Sequence, residues 1–524
     1  MAFTFWTEGW QGWLLVIAAI AMLWKPGCLN RFTLLVLTSL VNLWDKLPFV
    51  PNHILFEGVL HVIMVLAMVA VFVRGVDQAK LSNFVRVSKG VGLFFLAALI
   101  AKLGFLAFRQ WVPMDNLVGG VTTMLLNVAF ALYLRALPFG EGGQAFLRRS
   151  APVLRLSIIL IYVWAAVQKM NQDYLNPEFS CAAVLHKEIA AYFSPLIPTD
   201  NWALYAAIYG SLLLEISIPF LLFFRRTFLI GIVTAVCFHL WLAIHPAAGI
   251  YSFSALILGA VYLFQPTRAK DALRGIMHKQ LCWLGQGCEE KGQKRLVWGL
   301  TVLFFGFLGT QIGLYLIIDR SYDTFEIANR VGFSAFMLWG CWLGANYVLA
   351  AWKARANTGA RSFPWRWSIA VLGLGLVLFN GAMPWLGGKT QTSFSMYSNL
   401  RSEGRGNHLF FNRMDLMPFQ KDMVTVISSK PDILNPTLQP KGIQQFANRG
   451  NAILPYFELR RLISNLEGDF DVSYERNGEV QRIIRSQHLV TGDADLIHPH
   501  SLLARKLLWF RRLNSLDDHM KCTH

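Results

Sequence analysis

Apolar residues in this chain gather into runs of about 17 to 24 positions, the length at which an α-helix crosses a hydrocarbon core of about 30 Å. Such runs occupy Gly9 to Trp24, Phe32 to Phe49, Leu55 to Val73, Gly90 to Phe108, Val118 to Leu137 and Val153 to Lys169. They continue at Trp202 to Phe224, Thr227 to Ile244, Gly249 to Phe264, Leu296 to Ile318, Val331 to Trp352 and Trp367 to Leu386. The pattern predicts about twelve crossings. From Gly388 onward the long runs cease. Val472 to Tyr474 and Val480 to Ile484 flank Asn477-Gly478, a turn dipeptide that marks a β-hairpin, and Pro455 to Leu466 has helical apolar spacing. Leu502 to Leu513 interleaves apolar positions with Arg505, Lys506, Arg511 and Arg512, as a helix on a membrane surface would. The expected fold is therefore an all-α polytopic membrane bundle over residues 1–387, followed by a small α+β extramembrane domain over 388–524.

The connections alternate in charge. One set carries Lys25 and Arg31, Arg74 to Lys89, Arg135 to Arg149, Arg225-Arg226, Arg268 to Arg295 and Lys353 to Arg366, and the opposite set has only Lys46, Arg109, Lys169, Lys187, Arg320 and Arg330. Lys and Arg are retained in the cytoplasm, so both termini and the domain from 388 are expected on the extracytoplasmic side, as in a bacterial inner membrane. The first run follows an N-terminus without basic residues or a small-residue cleavage site, and reads as a retained helix.

Composition agrees: 55% of the 524 residues are hydrophobic and 15% are charged. A net charge of +17 would point to nucleic acid in a soluble chain, but here the basic residues sit between apolar runs, facing lipid headgroups, and no nucleic-acid partner is expected. Nor is a metal, because Cys282 and Cys288 have only His278 nearby and structural zinc needs four ligands. Cys181 and Cys522 both fall on the predicted oxidising side and form a candidate disulfide.

Charge inside hydrocarbon costs at least about 2.5 kcal/mol, so ionisable residues within the runs are the first place to look for function. These are Glu57, His61, Lys102, Lys169, Glu215 and His239. Glu57 and His61 are spaced to satisfy each other on one helix, and Lys102 is close enough to a helix end to snorkel. Lys169 ends an apolar run and opens onto the polar patch Met170-Asn171-Gln172-Asp173-Tyr174. A lysine pressed against apolar helices serves either as a snorkelling anchor or as a base. Glu215 and His239 lie at comparable depths on either side of the Arg225-Arg226 turn, as structural glue or as two walls of one cavity.

At these residues the chain resembles the vitamin K-dependent γ-carboxylase family through its HTTM (horizontally transferred transmembrane) region, from about Phe94 to Phe264. The matching positions are Val167-Gln168-Lys169-Met170-Asn171-Gln172-Asp173-Tyr174, then Glu215 in Leu213-Leu214-Glu215-Ile216-Ser217. A third match runs from Phe238-His239 to Gly249-Ile250-Tyr251-Ser252-Phe253. Ser393 to Leu400 and Asn407-His408 look like bacterial members. The resemblance implies a carboxylase-like membrane enzyme of the carbon–carbon lyase or monooxygenase type, which uses a reduced, vitamin K-like quinone. Lys169 would be its base, with Glu215 and His239 beside it and Asp173, Tyr174, Tyr251 and Ser252 binding substrate. It also implies membrane lipid and a peptide or protein client on the extracytoplasmic side. Gln168 replaces a second lysine of the animal enzyme, and the external domain is much smaller, so peptide carboxylation does not carry over. The competing expectation is a non-catalytic maturation or export factor that binds a client through the domain from 388.

Overall fold

The computed structural model describes residues 31–74, 142–276, 340–353, 371–433 and 453–522, with short breaks inside these ranges, and a few positions between 14 and 30. The runs predicted at Gly90–Phe108, Val118–Leu137 and Leu296–Ile318, almost all of Gly9–Trp24, and Lys102, Cys282 and Cys288 lie outside the described residues. The chain divides into two compact units. One comprises Met1–Asp45, Gly58–Leu156 and Leu258–Leu374, and the other Lys46–Glu57, Ser157–Ile257 and Gly375–His524.

The described helices are α1 (Leu29–Lys46), α2 (Asn52–Arg74), α3 (Gly142–Lys169), α4 (Gln172–Leu175), α5 (Cys181–Phe193), α6 (Asn201–Phe223), α7 (Phe228–Ala243), α8 (Ala248–Phe264) and α9 (Leu372–Ala382). Three segments among the described residues are long and apolar enough to cross a membrane: Asn52–Ala70, Arg149–Lys169 and Asn201–Phe223. Helices α7 and α9, and Phe253–Phe264 within α8, are apolar but shorter. This is a membrane-helical protein, with three spans of full length described where the sequence pattern predicts about twelve over the whole chain.

Helix α6 turns one apolar face outward among the described residues. Trp202, Tyr205, Tyr209, Leu213 and Phe220 recur at helical spacing and are exposed, whereas Ala203, Leu204, Ile208, Glu215 and Ile218 are buried. Such an outer stripe suits a hydrocarbon surround. Helix α7 folds back against α6 so closely that a Cβ on Gly231 would sit 2.9 Å from the Leu221 carbonyl carbon. Glycine is what permits that approach.

In the first unit, the Phe32 and Phe146 rings meet at a tilt of 59° with centroids 5.7 Å apart, and Gly58 leaves room for Leu43, which a Cβ would strike at 2.0 Å. Gln265 reaches across to donate to the Tyr347 carbonyl at 3.2 Å.

In the second unit, the chain beyond α9 builds an antiparallel sheet from β1 (Met423–Lys430), β2 (Ile453–Pro455), β3 (Phe470–Arg476), β4 (Glu479–Ser486) and β5 (Leu489–Thr491), in the order β2-β1-β3-β4-β5. Asn477 and Gly478 both have positive φ, 55° and 81°, as a two-residue hairpin turn between β3 and β4 requires. Phe470, Val472 and Tyr474 alternate inward on β3 and pack with Leu459 and Ile463 of α10 (Tyr456–Ser464). The basic stretch predicted as a surface helix over Leu502–Leu513 is helical only in α11 (Leu502–Leu507). Phe510 and Leu513 are buried beyond it, and Leu513 exchanges backbone hydrogen bonds with Ile453, so sheet pairing overrides the helical pattern there.

Candidate functional site

All the residues of the site belong to the second unit. Lys169 is the last residue of α3 and Glu215 sits in the middle of α6. The Lys169 Nζ donates to both carboxylate oxygens of Glu215, at 2.6 and 2.7 Å, and the two side chains are only 6% and 11% exposed. The lysine is thus neither a snorkelling anchor nor a lone base; its charge is compensated by a carboxylate at contact distance. Four residues after Glu215, Pro219 withholds the N–H that an uninterrupted helix would offer to the Glu215 carbonyl, loosening the backbone at the pair.

The pair forms part of the wall of a cavity of about 600 Å³. Most of its lining is apolar, including Val50, Ile161, Ala165, Ile189, Leu242 and Phe253. Its polar rim comes from Tyr162, Tyr174, Ser211 and the loop of Gln391, Thr392 and Ser395. The Tyr174 ring lies 5.9 Å from the Lys169 ammonium. Ser211 donates its hydroxyl hydrogen to the Ile208 carbonyl, so the Tyr174 hydroxyl, 2.7 Å away, is the donor to Ser211 Oγ.

His239 is fully buried and does not line the cavity. Its Nε2 lies 2.5 Å from the Tyr162 hydroxyl and its Nδ1 3.5 Å from Ser254 Oγ. It therefore reaches the cavity through Tyr162 and not through Glu215. Tyr162 is two helical turns before Lys169, on the same face of α3. Tyr251 and Ser252 lie on α8, with side chains outside the described residues.

Asp173 also lies away from the cavity lining. Asn171 caps α4 by accepting from the Tyr174 amide at 2.8 Å, which turns Asp173 toward the segment after the sheet. There Asp173 accepts from Asn407 Nδ2 at 2.6 Å, His519 Nδ1 at 2.6 Å and the Met520 amide at 2.8 Å. A disulfide joins Cys181 to Cys522, with 4.8 Å between their Cα atoms. Asn399, whose positive φ of 53° asparagine tolerates, bridges the same region. It accepts from the Cys181 amide and donates to the Phe179 and Met520 carbonyls. Gln168 is likewise structural in its bonding, donating to the carbonyls of Gly381 and Ser393.

The residues that sequence reasoning missed are Tyr162, Asn399 and the 519–520 segment as site builders. For Tyr162 the only available signal was its spacing from Lys169. For Asn399 and the 519–520 segment no local signal was available, because their partners near residues 173–181 lie more than 200 positions away.

Residues 149–267 match the family model of the HTTM domain, so the match spans α3 from Arg149 to just beyond α8. The chain carries an HTTM domain. This is the domain found in vitamin K-dependent γ-carboxylase-like proteins. No curated protein and no solved structure matches the chain. Within the HTTM domain fall Tyr162, Lys169, Tyr174, Glu215 and His239, and every described contact of the Lys169–Glu215 pair is made inside it. The part of the cavity formed by Gln391 to Tyr397 is contributed from outside the HTTM domain.

Proposed function

We propose that this chain is a multi-pass membrane enzyme related to the vitamin K-dependent γ-carboxylases, in which Lys169 and Glu215 together move a proton on a lipid-soluble, quinol-like ligand held in the cavity. The observation that carries this reading is a buried ion pair set in the wall of an apolar cavity of about 600 Å³. That size and lining suit a ring system with an isoprenoid tail, and the charged pair suits an ionisable hydroxyl. A reduced quinone bound there would supply an acidic hydroxyl and two electrons.

Lys169 and Glu215 make proton movement cheap. Transfer of the ammonium proton to Glu215 leaves a neutral amine beside a neutral carboxylic acid, so the lysine lone pair becomes available without separating charge in the apolar surroundings. The amine then takes a proton from a bound hydroxyl, and the resulting cation stands next to the new anion. Tyr174 keeps its ring near the amine, and Tyr162 links the cavity to His239.

The same reading includes about twelve crossings, a bacterial inner-membrane location and extracytoplasmic termini, all supported by the alternation of basic and neutral connections. It also includes a peptide or protein client at the outer rim. A second reading, a non-catalytic maturation or export factor, draws support from the exposed apolar side chains Val480 and Leu489 on the sheet.

The test is oxidation of a reduced naphthoquinone by dissolved oxygen, above the uncatalysed rate, in the presence of the purified full chain in neutral detergent, with Lys169→Ala, Lys169→Arg and Glu215→Gln beside the parent. The expected result is turnover by the parent and loss of at least about a hundredfold in all three variants. Turnover retained by Lys169→Arg, or no quinol binding by any form, would rule the enzyme reading out in favour of the second.

A further inference from the structure

The segment Leu409–Leu416, in the second unit, has the reverse of the polarity expected of a loop in water. Leu409, Phe410, Phe411, Met414 and Leu416 are exposed, five large apolar side chains in eight consecutive positions. Its two charged residues are the ones turned inward. Arg413 and Asp415 are half-buried and bonded to each other through the guanidinium Nε and a carboxylate oxygen, and Arg413 Nη1 donates to the Ser402 and Gln420 carbonyls at 3.4 and 3.2 Å. Apolar side chains concentrated on a surface in this way mark contact with a partner or a membrane.

Contacts at the base of the segment set its depth. Arg149–Lys169 is one of the three stretches long and apolar enough to cross a membrane. At its end, His408 Nε2 donates to the Val167 carbonyl at 2.8 Å and the Leu409 amide to the Met170 carbonyl at 3.0 Å. The Phe411 ring stacks on His408 with centroids 5.1 Å apart and meets Trp385 at 5.9 Å, and Trp385 in turn stacks on Trp164 at 5.6 Å. Trp164 is five residues before Lys169, which is about 7.5 Å along a helix axis. The aromatic base therefore starts within the span. On the other side, the Met414 and Met417 amides donate to the Trp385 and Leu386 carbonyls, just beyond α9, whose Leu376, Leu378 and Phe379 are also exposed. The patch thus continues an outward apolar surface already present on α9.

The backbone is prepared for the same surroundings. Lipid offers no hydrogen bonds, so peptide groups that enter it need partners within the protein, whereas those of a loop in water do not. The amides of Leu409, Phe410, Phe411 and Met414 all have such partners, and His408 Nδ1 accepts two of them, at 3.2 and 3.0 Å.

We propose that residues 409–416 insert into the bilayer at the boundary between headgroups and acyl chains, in the leaflet at the C-terminal end of α3, so that lipid is what covers them. Aromatic and large aliphatic side chains favour that layer. The insertion pins the chain that follows α9 beside the end of the helix that carries Lys169.

The experiment places the full chain in phosphatidylcholine nanodiscs, one copy to a disc, and follows methionine oxidation by aqueous hydrogen peroxide through peptide mass spectrometry. Met414 is one reporter, Leu416→Met supplies a second in the segment, and Leu489→Met supplies a reference on β5. The three positions are 62%, 73% and 75% exposed, so without a covering layer they should react alike. The expected result is oxidation at 414 and 416 at least about tenfold slower than at 489, together with crosslinking of residues 409–416 to a phosphatidylcholine that carries a diazirine in its upper acyl chain. Similar rates at all three positions overturn the proposal. So does slow oxidation without crosslinking, because protein would then cover the sulfur, and so does protection found only in discs that hold two copies, which would assign the surface to self-association. Quinol oxidation is not measured, so the outcome is independent of the role given to Lys169.

Discussion

Replacing Lys169 by Met, Glu215 by Leu, and both together makes a thermodynamic cycle on the ion pair. At 2.6–2.7 Å, opposite unit charges attract by about 6 kcal/mol with an effective dielectric constant of about 20. Removing two ions from water costs several kcal/mol each, so the intact pair is worth little on balance against two apolar side chains. Either single replacement strands an uncompensated charge at a site no more than 11% exposed, at a cost of about 3–5 kcal/mol. The double replacement removes both charges and is expected within about 1–2 kcal/mol of the parent, giving a coupling energy of at least about 3 kcal/mol. Unfolding in mixed micelles, followed by tryptophan fluorescence as denaturing detergent is raised, measures all three. Single losses below about 1 kcal/mol that simply add would mean that water solvates the pair as it does a surface salt bridge, and the argument from burial would fail.

Three further outcomes follow from other parts of the site. Cys522→Ser is expected to lower stability by about 2–5 kcal/mol and to change mobility on a non-reducing gel as the parent does on reduction; an unchanged unfolding midpoint would refute it. Lys389 is 6% exposed and, among the described residues, donates to Thr392 Oγ1, and burial pushes its amine down from 10.5 to about 7. Below about pH 7 it is charged whether folded or unfolded and the burial penalty is present in full. Between about 7 and 10.5 the unfolded chain binds more protons, so stability should rise with pH, by at most about 1.4 kcal/mol per unit. Lys389→Met should flatten that slope in the same unfolding assay, and a slope it leaves unaltered would assign the effect elsewhere. Asp173→Asn removes a charged acceptor from three bonds and should expose the 515–522 segment to limited proteolysis while Lys169 and Glu215 stay paired; equal protease resistance in both chains would contradict this.

The periodic parts of this fold were legible because period alone determines them. Helices over the runs near 153–169 and 202–224, the hairpin at Asn477-Gly478 and the helix within 455–466 each depend on contacts a few residues apart. Within the site, Lys169, Glu215 and His239 stood out because charge in an apolar run is costly. Their pairing was not legible. Depth counted from the Arg225-Arg226 turn relates α6 to α7 and says nothing of α3, so Glu215 looked like a partner for His239. In the structure it meets Lys169, and His239 meets Tyr162, a hydroxyl that an apolar run hides. The partners of Asp173 were hidden for the same reason, since they lie 234 to 347 positions away. The helix predicted over Leu502–Leu513 ended early because Leu513 had a strand to join.

The clasp between Asp173 and residues 519–520 fixes an order of events during synthesis. Every helix of the HTTM domain precedes His519 in the chain, so through most of translation Asp173 and the Cys181 thiol wait without His519, Met520 and Cys522. Insertion of the helices and closure of the clasp are consequently separate steps, and the second requires residues 519–522 to have reached the same side of the membrane as Cys181. A nascent chain stalled before that point carries the Cys181 thiol free and the Asp173 carboxylate without His519 and the Met520 amide.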